Sequence, residues 1–295
     1  MDSGILREGI SKFIREEVER SGRNGIVLSF GRGPGPAVVL RLAEDALGKG
    51  SVLALLMPER NTTPMELMEA ERYLQKSEIR YRLINIDQIV ESFKRALAKE
   101  DERAMENLRP RIRMCLLYYF ANSENLLVAG TSTKSQVSLG ELTKYGDGAA
   151  DLLPLADLYE SEVSKLAGSL GVSRPAPGKA QGGIPQKRLD GILQNLDLGK
   201  TATEASRDSG ATLEEAKQVR VKQEKNRHKR LLPPYFRISN RGHASPISIG
   251  AGALCLIISV YLAKAAFAGN LPGQNALKVL SVALMACSAL ALLPI

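Results

Sequence analysis

The chain has 295 residues, 44% of them hydrophobic and 24% charged, with a net charge of +8 and three cysteines. This length and apolar content suit one substantial core with an appendage and exclude a wholly disordered chain. Cys115, Cys255 and Cys287 stand far apart, which excludes a disulfide framework and a zinc site.

Residues 1–22 read as an amphipathic helix and not as a signal sequence, because charges interrupt every apolar run. Short, nearly continuous apolar runs follow at 25–30, 51–57, 81–86 and 125–130, the pattern of strands buried on both faces. Helical stretches separate them at 36–47, 64–75, 89–98 and 111–121. This alternation predicts an α/β fold with a doubly wound parallel sheet, whose ligands gather at the carboxyl ends of the strands. A Gly/Pro/Gln-rich loop is expected at 173–187, then helices at 189–195 and 212–225.

The first domain is expected to span 1–240. In 241–295 two uncharged apolar runs, extended by Lys264 and Lys278, predict a transmembrane helical hairpin with spans of about 247–264 and 278–295. Between Lys217 and Arg241 there are nine basic residues and one acidic residue, Glu224, so this stretch carries the chain's whole net charge. With few aromatics nearby, it suits a membrane surface better than nucleic acid. A membrane-anchored protein with its main domain in the cytoplasm is therefore expected, with the membrane and no nucleic acid among its partners.

The loop "SFGRGPGPAVVL" (29–40) lies between a predicted strand and helix, where phosphate-binding loops occur. Four further segments accompany it: "NLRPRIRM" (107–114), "VAGTSTKSQ" (128–136), "LTKYGDGAADLLPLADLY" (142–159) and "HKRLLPP" (228–234). Together they resemble ammonia-dependent NAD synthetase in its short archaeal form, over about residues 25–238. The resemblance implies a Rossmann-like ATP-pyrophosphatase domain that forms a homodimer. It also implies a reaction in which ATP adenylates deamido-NAD and ammonia displaces AMP to give NAD.

Set against the family's SGGxDS loop, residues 31–36 read Gly31, Arg32, Gly33, Pro34, Gly35 and Pro36. Gly35 replaces a magnesium-binding aspartate, and the two prolines remove N–H donors. Gln136 stands where the family has a second carboxylate, Glu160 where it has an ATP-binding lysine, and Gly182 where it has a serine. Gly31, Arg32, Gly33 and Thr131 thus mark a vestigial ATP side with no metal ligands, and no residue is assigned a catalytic role.

The deamido-NAD side matches in type. The resemblance places Arg111, Lys144, Asp151, His228 and Lys229 on residues that contact the dinucleotide. The expected function is binding of deamido-NAD or NAD as the small-molecule ligand, with ATP-dependent amidation lost or strongly impaired. Two alternatives stand beside it: a divergent but active synthetase that uses ATP and magnesium, and a ligand-free dimerising membrane scaffold.

Overall fold

The strand β1 (Ile26–Ser29) lies inside the sheet, paired in parallel with β2 (Val52–Leu56) on one side and β4 (Leu127–Val128) on the other. With β3 (Arg80–Leu83) beyond β2, the sheet order is β3-β2-β1-β4, all parallel. This computed structural model describes residues 2–97, 101–172 and 183–231. The chain divides after Leu232, and all of these residues belong to the unit Met1–Leu232. The expected transmembrane spans 247–264 and 278–295, and residues 173–182 of the expected loop, lie outside the described residues.

Both faces of the sheet are covered by helices, so β1 and β2 bury every residue except the half-buried Ser29. That is why their sequences are unbroken apolar runs. On one face, α1 (Ser3–Ser21), α2 (Pro34–Leu47), α3 (Pro64–Ser77) and α7 (Glu160–Ser169) enclose Ile14, Leu28, Leu40, Leu74 and Leu166. On the other, α4 (Asp87–Ala96) and α5 (Glu102–Glu124) pack Val90, Ile112 and Leu117 against Val27, Leu53 and Leu55. A third cluster joins α6 (Lys134–Leu139), α8 (Gln186–Asp197) and α10 (Leu213–Lys225) around Leu139, Ile192, Leu193 and Val219, with α9 (Ala202–Ser209) beside it.

The strand β3 departs from the expected burial on both faces. It is the edge of the sheet, and Arg80, Arg82 and Leu83 are exposed. The helices α6, α7 and α9 are absent from the sequence prediction because they are short, yet threonine capping boxes mark the starts of α6, α9 and α10. The helix α5 starts at Glu102, capped by the Asp101 carboxylate on the Ala104 N–H at 2.8 Å. It runs straight through Pro110, which tertiary packing holds inside a helix despite its missing donor.

Candidate functional site

At the carboxyl end of β1 the chain turns through Gly31, Arg32 and Gly33 and enters α2 at Pro34, two residues earlier than the sequence predicts. Gly33 has φ 81°, a conformation open to glycine. An α-helix leaves its first amides without partners inside the helix, which is what makes its N-terminus an anion site. Here Pro34 and Pro36 occupy the first and third helical positions, so two of those amides do not exist. The loop after β4 faces the same point. A Cβ at Gly35 would lie 3.0 Å from the Thr131 carbonyl oxygen. Since β4 lies on the opposite side of β1 from β2, this is the switch point of the sheet, where ligands of such folds bind.

A cavity of about 540 Å³ opens beside the loop, lined by Ser29, Phe30, Arg32, Met57, Glu59 and Arg113 among others. Arg32 does not turn toward the helix N-terminus. Its guanidinium donates to the Glu66 carboxylate at 2.7 Å and reaches the Asn61 carbonyl at 3.4 Å. The backbone N–H of Thr63, aided by Arg32, holds the Glu66 carboxyl below its usual range. Deeper in, Glu59 is clamped by Arg109 and Arg113, each at 2.8 Å. Neither arginine is among the sequence-predicted site residues. Their spacing of four on one helix face was the available signal, with Arg111 between them directed elsewhere.

The first turn of α6 holds further positions that the resemblance places on the ATP side. The Thr133 side chain caps the helix by accepting from the Gln136 N–H, while Gln136 Oε1 accepts from the Thr133 N–H at 3.1 Å. The amide at 136 therefore performs the capping that a glutamate would perform, without the charge a hard cation requires. The Thr133 hydroxyl donates to the Glu160 carboxylate at 3.0 Å. Burial pushes the Glu160 carboxyl above its usual range, Thr133 opposes this and Asp190 adds to it. Beneath them the buried Asp190 accepts from Ser135 Oγ at 2.6 Å, the Ser161 N–H at 2.8 Å and Gln186 Nε2 at 2.8 Å. A magnesium-bound triphosphate does not fit these residues: its phosphates would meet depleted amides and an acid at position 160, and its metal a neutral amide at position 136.

The predicted dinucleotide residues fall into one group and one outlier. Arg111 Nε donates to the Lys144 carbonyl at 3.2 Å, and Lys144 Nζ donates to the His228 carbonyl at 3.1 Å. Lys144 Nζ also stands 5.4 Å from the Tyr145 ring centre. Lys229 Nζ donates to the Gly140 carbonyl at 3.0 Å. Asp147, missed by the sequence, joins this group. Burial raises its carboxyl above the usual range, and the Thr143 N–H and nearby Lys229 oppose the rise. Asp151 stands apart at the end of β4. One of its oxygens accepts from the Val128 N–H at 2.7 Å and the other from the Tyr118 hydroxyl at 2.8 Å.

Comparisons with known proteins agree on one family. A family model described as NAD synthase matches residues 6–233. The chain is 40% identical to an NH(3)-dependent NAD(+) synthetase of Methanocaldococcus jannaschii over 242 residues, 76% of this chain and 93% of the relative. It is 41% identical to the protein of the same name from Archaeoglobus fulgidus, covering 78% of this chain and 96% of the relative. Among solved structures, an NH3-dependent NAD synthetase from Campylobacter jejuni in complex with the nitrate ion superposes with TM-score 0.71 at 29% identity, covering 80% of this chain and all of that one.

These findings correct the expected membrane-anchored localisation. The likeness extends along nearly the whole length of the relatives, and among the described residues no helix is long and apolar enough to cross a membrane. Three basic residues assigned to a membrane-facing surface are bound within the domain: Lys222 to Glu141, Lys229 to the Gly140 carbonyl and Arg230 to the Ser138 carbonyl.

Proposed function

The chain belongs to the NAD synthase family, and from that premise we propose that it binds deamido-NAD or NAD while its ATP-dependent amidation is lost or strongly reduced. The observation that carries this reading is Glu160, an acid seated on Thr133 where the resemblance implies a phosphate-binding lysine. The proline-blocked start of α2 and the neutral Gln136 act in the same direction. Removing one preorganised electrostatic element from a transfer site costs on the order of 10²- to 10³-fold in rate, and here several are altered together. The cationic group of Arg111, Lys144 and Lys229 suits a ligand carrying two phosphates. Asp151, fixed by Val128 and Tyr118, retains lone pairs for a hydroxyl or amide donor. A homodimer is part of the proposal.

A second reading, an active ammonia-dependent NAD synthetase, has the comparisons on its side: relatives at about 40% identity bear that name along almost their full length. The open cavity of about 540 Å³ at the carboxyl ends of β1 and β2 favours it too. Calorimetry on the full chain with deamido-NAD, NAD and ATP, with and without magnesium, separates the readings when paired with an assay for NAD formation. Heat from the dinucleotides and no NAD formation supports the first reading. NAD formed from deamido-NAD, ATP and ammonia in proportion to protein replaces it with the second.

A further inference from the structure

The last carbonyls of α6 are met by side chains from a segment more than eighty residues later. Asn226 Nδ2 donates to the Leu139 carbonyl at 2.8 Å, Arg230 to the Ser138 carbonyl at 2.6 Å and Lys229 Nζ to the Gly140 carbonyl at 3.0 Å. Lys222 pairs with Glu141 just beyond, and Lys144 returns a bond to the His228 carbonyl. Two cations at a helix C-terminus sit where the helix dipole favours positive charge. The approach is close. Gly140 has φ 61°, and a Cβ there would come within 2.4 Å of the Asn226 Cβ. On its other side the 140–148 loop is fastened to α5 by Arg111 on the Lys144 carbonyl, and by Gly146, where a Cβ would lie 3.0 Å from the Pro110 Cβ.

We propose that residues 222–230 form a clasp that positions the 140–148 loop for its ligand, with Asn226 and Arg230 as positioning residues that touch no ligand themselves. The proposal deepens the dinucleotide reading and rests on it. Three residues of the basic run thereby act within the molecule, Lys229 and Arg230 on backbone carbonyls and Lys222 on Glu141, so that a lysine-bearing loop keeps one shape.

The test uses the full chain with Asn226→Ala and, separately, the exposed change Arg230→Ala, which keeps the experiment open should the first variant fold poorly. Hydrogen exchange of peptides from 138–148 is followed beside those from β1 and β2, together with calorimetric affinities for NAD and deamido-NAD. Exchange in 138–148 is expected to rise about tenfold, with β1 and β2 unchanged and dinucleotide affinity down by about tenfold, the scale of losing one hydrogen bond. Unchanged exchange in the loop overturns the proposal, and so does a loosened loop with wild-type affinity. If the wild-type chain takes up neither dinucleotide, the dinucleotide reading fails and the positioning role with it. That failure is distinct, because in the other two cases the wild type binds.

Discussion

Glu160 holds a carboxyl group partly out of water against the Thr133 hydroxyl, and desolvation raises its proton affinity in the folded state. The sign of the consequence is fixed by linkage. A folded-state value above the ordinary 4.5 means that the group's favourable contribution is whole below 4.5 and is lost as pH rises through the folded value. Glu160→Gln keeps an acceptor for Thr133 and removes the cost of burying charge, so its thermal midpoint is expected above wild type at pH 7, with the gain vanishing as pH falls below 4.5. Scanning calorimetry at both pH values checks this, and an equal offset at the two would contradict it. Restoring the family's residues together, Gly35→Asp with Gln136→Glu and Glu160→Lys, is expected to raise ATP-dependent NAD formation at least about 10²-fold over the parent, the scale of one regained electrostatic element. Product detection by chromatography reads this, and no gain would count against the proposal that these three positions limit the reaction. The positions Arg111, Lys144 and His228 were drawn from long matched segments, and the fold brings them together through the Lys144 and His228 carbonyls. Arg109 and Arg113 acquire meaning from the helix face they share and from Glu59, some fifty residues away, which periodicity alone does not supply.

The elements follow capping chemistry as much as apolar pattern. Thr133 supports α6 twice, as its N-cap and as the donor to Glu160 at the start of α7. Thr133→Val is therefore expected to cost about 1–2 kcal/mol in urea unfolding, while Thr133→Ser stays close to wild type; equal losses for the two would show that the hydroxyl does not matter. The start of α2 illustrates a helix that tolerates proline where its amides are unpaired, so Pro34 and Pro36 remove two N–H donors and leave the fold intact. The central strands were readable as unbroken apolar runs, whereas the exposure of β3 depends on its place at the sheet edge, which a strand's own sequence does not state. The start of α5 was misplaced for a related reason. Pro110 signals a helix boundary locally, and packing around Gly146 overrides it.

For the whole molecule, the parallel sheet and the family were legible because the α/β alternation and the motif order survive even where the chemistry of single positions has changed. The membrane-facing role expected of Lys222, Lys229 and Arg230 is corrected because a basic run has two physical uses, facing anionic lipid or binding groups of its own domain, and only the fold distinguishes them. For the proposed homodimer, sedimentation is expected to report twice the 32.0 kDa of the chain, and a single-chain mass at micromolar concentration would refute it. The close approach of Gly35 to the Thr131 carbonyl bears on any attempt to place a carboxylate in this loop. With no side chain between them, two neighbouring turns are spaced for glycine, and any larger residue must push them apart by a few tenths of an ångström. Under the proposed loss of amidation, Gly35→Asp alone is expected to lower stability and to recover chemistry only with companion changes.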